Sequence, residues 1–188
     1  ENVARTNQPV PSGSAGCWVT LGGGGARGGN SDGASTPSTS DGHGGGGGGS
    51  GALIPRLWIP VASLGSTYSV TVGARGTTST RDGGASQFTS GSITLTAGGG
   101  IRGGHAATEG ATAGAGGTAT AVGVSAPTTG GNPGTAGTSG NGMSFRGIGG
   151  SAPAGHPAGA GGNGGYVVGN SAVTGSSGQA GYTLVEWV

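Results

Sequence analysis

Three histidines are the side chains in this sequence best suited to hold a metal, and their spacing offers no local site. His43, His105 and His156 each stand beside Gly or Pro, and no two have the spacing of a ligand pair on one element. A metal would need them to converge in three dimensions, or need three copies of one His around the axis of a symmetric oligomer. Otherwise each reads as a solvent-exposed loop residue. The carboxylates Asp32, Asp41, Asp82, Glu109 and Glu186 stand apart along the chain, so nothing points to the paired acids of glycoside hydrolysis. Serine is abundant, but no G-x-S-x-G elbow of the kind that carries a hydrolase nucleophile is expected. Cys17 shares a strand face with Val19 and Leu21 and reads as a buried structural thiol. The chain is expected not to be an enzyme and to need no metal or organic cofactor.

A different kind of chemistry is open to Met143, Phe145, Arg146 and Tyr166. They are large side chains stranded in Gly-rich sequence, with no strand pattern around Met143, Phe145 or Arg146 to bury them. Such residues either pin loops together or present a binding surface. Arg146 beside Phe145 puts a charged donor next to an aromatic face, a pairing that suits a sugar or an anionic surface polymer. These four are the candidate binding residues.

The elements that must position them are unusual. Of 188 residues 52 are Gly, while Leu, Ile, Val and Phe together make up about one residue in seven. So small an apolar inventory normally marks a disordered chain. The net charge of only +1 argues against disorder maintained by self-repulsion. With no Lys anywhere, the phosphate-binding lysine of P-loop proteins and kinases and any Schiff-base lysine are excluded. Scattered Arg residues form no basic stripe for nucleic acid. No apolar run approaches the length of a membrane span, and strict Gly-X-Y repetition of the collagen kind is absent.

Apolar residues gather in short islands. Cys17–Leu21, Tyr68–Val72, Ser92–Thr96 and Tyr182–Val188 alternate with period two or are rich in β-branched residues, and they predict strands. Ala52–Leu64 is interrupted by Pro55 and Pro60, so it is expected as an edge strand or extended segment and not as a helix. No window has helical periodicity. Between the islands, Gly22–Gly25, Gly44–Gly49 and Gly98–Gly100 are Gly runs, and from Gly103 to Gly181 Gly, Ala, Thr and Ser predominate. If Tyr182–Val188 pairs with the early strands, that long span is a tethered insertion. Two states are open to it: flexible loops, or polyglycine II helices packed side by side. In the second state, extended glycines satisfy one another's N–H and C=O groups laterally, which would offset their large entropy cost.

In their order along the chain, these features resemble the glycine-rich domain of phage minor tail proteins and tail-fibre tip adhesins, especially of phages that infect actinobacteria. The resemblance rests on a Pro-containing lead-in, Pro9-Val10-Pro11, and a strand ending in poly-Gly, Cys17–Gly25. Tyr68–Gly73, Gly83–Phe88 and Ile93–Gly100 follow, and the chain closes on Leu184-Val185-Glu186-Trp187-Val188. It implies a virion component at the tail tip that is usually trimeric, contacts a host cell-surface polymer or glycan, and adjoins other tail proteins. The expected fold is all-β: a frame of short strands carrying long Gly-rich loops or packed polyglycine II helices, in a homotrimer. The expected organisation is a lead-in over 1–16 from a longer chain and a strand-rich frame over 17–100. A Gly-rich excursion over 101–181 and a closing strand over 182–188 complete it. No nucleic acid and no membrane span are expected. Rival readings are a purely structural tail or fibre component, a glycine-rich bacterial surface protein, and a glycine-helix antifreeze protein. The last two would call for a sustained short repeat.

Overall fold

A computed structural model describes residues 2–31, 41–106, 111–141, 146–156, 158–168 and 171–188. Among these residues there is no α-helix, and the longest ordered elements are antiparallel strands. One sheet has the order β1-β5-β6-β7-β8, from Arg5–Pro9, Thr67–Thr71, Ser86–Ser90, Ile93–Ala97 and Ala119–Val122. The other has β2 (Gly16–Gly22) at its centre, flanked by β12 (Tyr182–Trp187) and β4 (Leu53–Pro60). Two small pairs complete the set: β3 (Asp41–His43) with β9 (Ser139–Asn141), and β10 (Val167–Val168) with β11 (Ser171–Ala172).

The closing segment does return to the first island: β12 runs against β2 from Tyr182↔Gly22 to Trp187↔Cys17. The Pro-interrupted island is an edge strand. Its register against β2 slips between Val19↔Leu57 and Leu21↔Ile54, so the extra residue falls around Pro55. An edge bulge accommodates a residue that has no N–H to give. At the opposite edge, β1 also bulges, with Asn7 at φ 48 donating its N–H to Ser69 Oγ at 2.9 Å. The tight turn from β6 to β7 passes through Gly91 at φ 57, a conformation that a Cβ would strain.

The two sheets pack face to face. Cys17, Val19 and Leu21 of β2 and Ile54 and Ile59 of β4 form one side of the core; Tyr68, Val70, Phe88, Ile93 and Leu95 form the other. This is where period two has its physical meaning, since each strand sends alternate side chains inward. A fully buried Leu, Ile or Phe contributes about 1.5–3 kcal/mol, so the sandwich holds most of the hydrophobic stabilisation in the chain.

The Gly-rich sequence is ordered by backbone hydrogen bonds. In segment 44–53, Gly44, Gly47, Ser50 and Leu53 donate to Thr138, Thr135, Asn132 and Thr129. Gly45, Gly48 and Gly51 donate to Gly165, Gly162 and Gly159, while Gly46, Gly49 and Ala52 donate to Gly104, Ile101 and Gly98. Successive N–H groups therefore turn to three different neighbours with a three-residue period. The carbonyls do the same: Gly44, Gly47 and Ser50 accept from Ala111, Gly114 and Gly117; Gly45 and Gly48 from Gly147 and Gly150; Gly46, Gly49 and Ala52 from Gly29, Ala26 and Gly23. Segment 44–52 is thus enclosed by six others, each of which is bonded to the next. Segment 23–29 is a second centre, donating to 46–52, 81–84 and 176–179 and accepting from 100–103, 76 and 162–165.

Both inner segments are buried along their length, and at most of their positions Gly is required because a Cβ would meet neighbouring backbone. A Cβ on Gly47 would lie 2.0 Å from the Ile148 carbonyl oxygen, and one on Gly49 1.8 Å from that of Ala115. The single side-chain hydroxyl inside, on Ser50, accepts from the Asn132 N–H at 2.7 Å. In the outer segments every third residue is buried: Ala111, Gly114 and Gly117; Gly147, Gly150, Pro153, His156, Gly159, Gly162 and Gly165; Gly175, Gly178 and Gly181, with Gly164 the one buried residue between them. The intervening positions are mostly exposed and carry larger residues. Sheets and stack are joined by Ser86 of β6, which is fully buried. Its Oγ donates to the Gly22 carbonyl at 2.7 Å and accepts from the Gly73 N–H at 2.8 Å.

Candidate functional site

Because β2 runs directly into segment 23–29, and segment 44–52 runs directly into β4, each inner segment has one end on the sheets. Gly23, Ala52 and Gly98 meet there, while Gly29, Gly46, Gly104 and Gly165 meet toward the far end. Each outer segment likewise has one end toward the sheets and one toward the far end, and the β3–β9 and β10–β11 pairs lie at the far end.

Two of the four candidate binding residues come together at this end. The Arg146 guanidinium lies over the Tyr166 ring, 5.5 Å from its centroid. Met143 and Phe145 lie outside the described residues. Arg146 is exposed and Tyr166 half-buried, and the stack fixes the backbone of each. Gly147 donates to the Gly45 carbonyl at 2.9 Å, Gly164 to that of Gly147 at 2.8 Å, and Gly165 to that of Gly29 at 2.7 Å. The Tyr166 carbonyl accepts from the Val173 N–H at 2.8 Å and from Ser31 Oγ at 3.0 Å. An exposed cation–π pair contributes only about 0.5–1 kcal/mol. Its chemical interest lies in what it offers outward: guanidinium donors beside an aromatic edge.

Against the expectation of no G-x-S-x-G elbow, Gly29-Asn30-Ser31-Asp32-Gly33 has that form. Ser31 is buried, and its Oγ donates to the Tyr166 and Val173 carbonyls. It ties two outer segments together and offers no nucleophile. Cys17 is buried among the sandwich residues, and burial pushes its thiol up to about 12, so it stays protonated and inert.

The histidines separate. His105 is exposed and His43 half-buried, but His156 is only 8% exposed, against the expectation of a solvated loop residue. Its ring fills the space that a side chain at Gly22 would need. The signal was present in the sequence: His156 falls on the every-third-residue rhythm between Pro153 and Gly159. Among the described residues no three of His, Cys, Asp and Glu gather as metal ligands.

His156 Nδ1 accepts from the Ala158 N–H at 3.0 Å, so the neutral ring carries its proton on Nε2. That N–H faces the Gly23 carbonyl without closing a well-formed hydrogen bond. Burial holds the imidazole below its usual range, and the Gly23 carbonyl offsets this only in part. The unfolded chain therefore binds the proton more readily than the folded one. Stability is level above the ordinary histidine value of about 6.5 and falls as pH drops from there through the lower folded value. Thermal melts between neutral pH and pH 5 should show this fall, and His156→Gln should remove most of it. A melting temperature that does not change over the interval, or an equal fall in the variant, would show that His156 is not the group responsible.

The aromatic residues of the sandwich divide between its two sides. Trp187 packs on Tyr68 at the core edge, ring centroids 5.1 Å apart. Trp18 and Trp58 face the other way, 5.2 Å apart, with Arg56 4.4 Å over Trp18 and paired with Glu186 at 3.2 Å. An exposed ion pair of this kind contributes about 0–1 kcal/mol, so its main effect is to cover the indoles. Among the described residues no helix is long and apolar enough to cross a membrane.

No protein-family profile matches this chain, and no curated protein matches it significantly.

Proposed function

We propose that this chain is a host-attachment domain of a phage tail tip, in which polyglycine II helices form a stiff block between a β-sandwich base and receptor-contacting loops. The observation that carries the reading is the three-residue hydrogen-bond period of segments 44–52 and 23–29. It matches the three-residue turn of that helix. Ordering Gly so densely serves a purpose where a thin, neutral, rigid support is needed and side chains are needed only at its end. Attachment then works through weak contacts repeated across subunits, because multivalency raises avidity without deep pockets. The small apolar core of one subunit favours a homotrimer. The ligand is a polymer or glycan of the host cell surface, and Arg146 and Tyr166 contact it.

The test is binding of the purified chain to host cells, together with blocking of phage adsorption. Arg146→Ala and Tyr166→Ala should each weaken attachment about tenfold, the usual loss for one charge-assisted or stacking contact, with light scattering still reporting the trimer. A folded trimer that binds no host cell would favour the purely structural tail role, and a stable folded monomer would remove the trimer from the proposal. The three-residue period also favours a second reading, a glycine-helix antifreeze protein. Against it, exposed Ile101 and Arg102 interrupt the Ala and Thr positions of the layer formed by segments 98–104 and 111–118. Thermal hysteresis in a freezing assay would reverse that preference.

A further inference from the structure

Arg27 is the one long side chain in the two inner segments, whose other residues are Gly, Ala and Ser. It fits because the neighbouring pair of segments, 73–76 and 81–84, is closed by the turn 77–80, where the Thr77 N–H donates to the Thr80 carbonyl. The Arg27 N–H donates to the Arg81 carbonyl at 2.9 Å and its carbonyl accepts from the Gly103 N–H at 3.1 Å. The side chain is therefore held between the 81–84 and 100–106 segments. Arg27 is only 6% exposed, and its Nη2 donates to a neutral acceptor, Asn30 Oδ1, at 2.8 Å. It lines a cavity of about 120 Å³ together with Arg81, Arg102 and His105, floored by Gly28, Gly29, Gly103 and Gly104. No carboxylate pairs with any of the three arginines among the described residues. The acid nearest in the chain, Asp82, accepts from the Arg102 backbone N–H at 2.8 Å.

Three cations around one cavity repel each other, and a buried charge without a partner is costly. We infer that Arg27, Arg81, Arg102 and His105 form a site for a phosphate group, whose charge supplies the missing counter-ion. Guanidinium groups suit phosphate oxygens because each can donate two parallel hydrogen bonds. Cations from three separate segments suit a tetrahedral oxyanion better than a flat carboxylate. The Gly floor leaves space for the anion to approach the backbone. The inference does not depend on the attachment reading: the same chemistry would hold a free phosphate ion or a phosphodiester unit of a polymer.

The experiment is calorimetric titration of the full chain with inorganic phosphate and, separately, with poly(glycerol phosphate), with acetate and chloride as controls at constant ionic strength. Saturable binding of phosphate at one site per chain is expected, with Arg81→Gln and Arg102→Gln each weakening it about tenfold or more. Both residues are exposed, so these variants should keep the wild-type melting temperature in the absence of phosphate. Binding of the polymer alone, lost in the same variants, also supports the site and identifies the phosphodiester as its ligand. The inference is overturned if neither probe binds, if acetate and chloride bind equally well, or if the variants bind as wild type does.

Discussion

Gly47→Ala should destabilise the protein by about 3 kcal/mol or more, at the upper end of overpacking costs. The new methyl would lie 2.0 Å from the Ile148 carbonyl oxygen and 2.4 Å from its carbon, and both are backbone atoms that no rotamer change can move. To make room, segment 147–150 must shift away from 44–52. That shift disturbs the bonds from Gly147 to Gly45 and from Gly150 to Gly48, each contributing about 0.5–1.5 kcal/mol net. Gly130→Ala is the matched control, because its Cβ would meet nothing closer than the Gly117 carbonyl at 3.7 Å. There the smaller entropy of the unfolded chain should leave stability unchanged or raised by about 0.4–1 kcal/mol. Urea unfolding of both variants decides the matter. If Gly47→Ala unfolds at the wild-type midpoint, the close packing of the inner segment is refuted.

The second large effect belongs to the sandwich. Phe88→Ala removes the largest fully buried side chain among the described residues and should cost about 3–5 kcal/mol through lost burial and the cavity left behind. Its ring stacks on Tyr68 with centroids 6.1 Å apart, a contact worth a further 0.5–1.5 kcal/mol or so. The loss should not stay in the sheets, because Ser86, two residues earlier on β6, bonds the Gly22 carbonyl at the start of the stack. Hydrogen exchange should therefore show the N–H groups of 44–52 losing protection together with those of β2. Continued protection of the stack in a variant whose sheets exchange freely would mean that the two parts fold independently.

What could be read in the sequence follows from how each part is stabilised. β2, β5, β7 and β12 were legible because one sheet face is buried, and burial of one face writes an apolar residue at every second position. Pro55 and Pro60 marked β4 as an edge strand for the same kind of reason, a missing ladder donor. β6 was less plain: its inward residues are Ser86, Phe88 and Ser90, so only one of three is apolar, and the serines face inward to satisfy backbone groups. β8, Ala119–Val122, carries almost no apolar contrast.

The Gly-rich stack was harder to read for a different reason. Its rule is steric, a buried and usually small residue at every third position, and the rhythm holds only within a segment. From Gly147 to Gly165 it runs unbroken through Pro153 and His156, but the phase resets at each turn, so no repeat extends along the whole chain. His156, flanked by Gly and Pro, has the composition of a loop residue, and that composition hides its phase. Tyr166 stands out by its size and Arg146 by its charge beside Phe145, but nothing in their spacing shows that they face each other. Segments 147–150 and 159–165 become neighbours because both bond to 44–52 and to each other.

By itself, then, the sequence determined β2, β4, β5, β7 and β12 and the supply of glycine, since these depend on local residue type and short spacing. The tertiary structure alone decided which glycines are enclosed, where Arg27 can stand among them, and which side chains meet at the far end. Those outcomes depend on lateral hydrogen bonds between segments many residues apart, and backbone N–H and C=O groups are the same in every residue but proline. Partners in such a stack are chosen by register and available space, which residue identity does not encode.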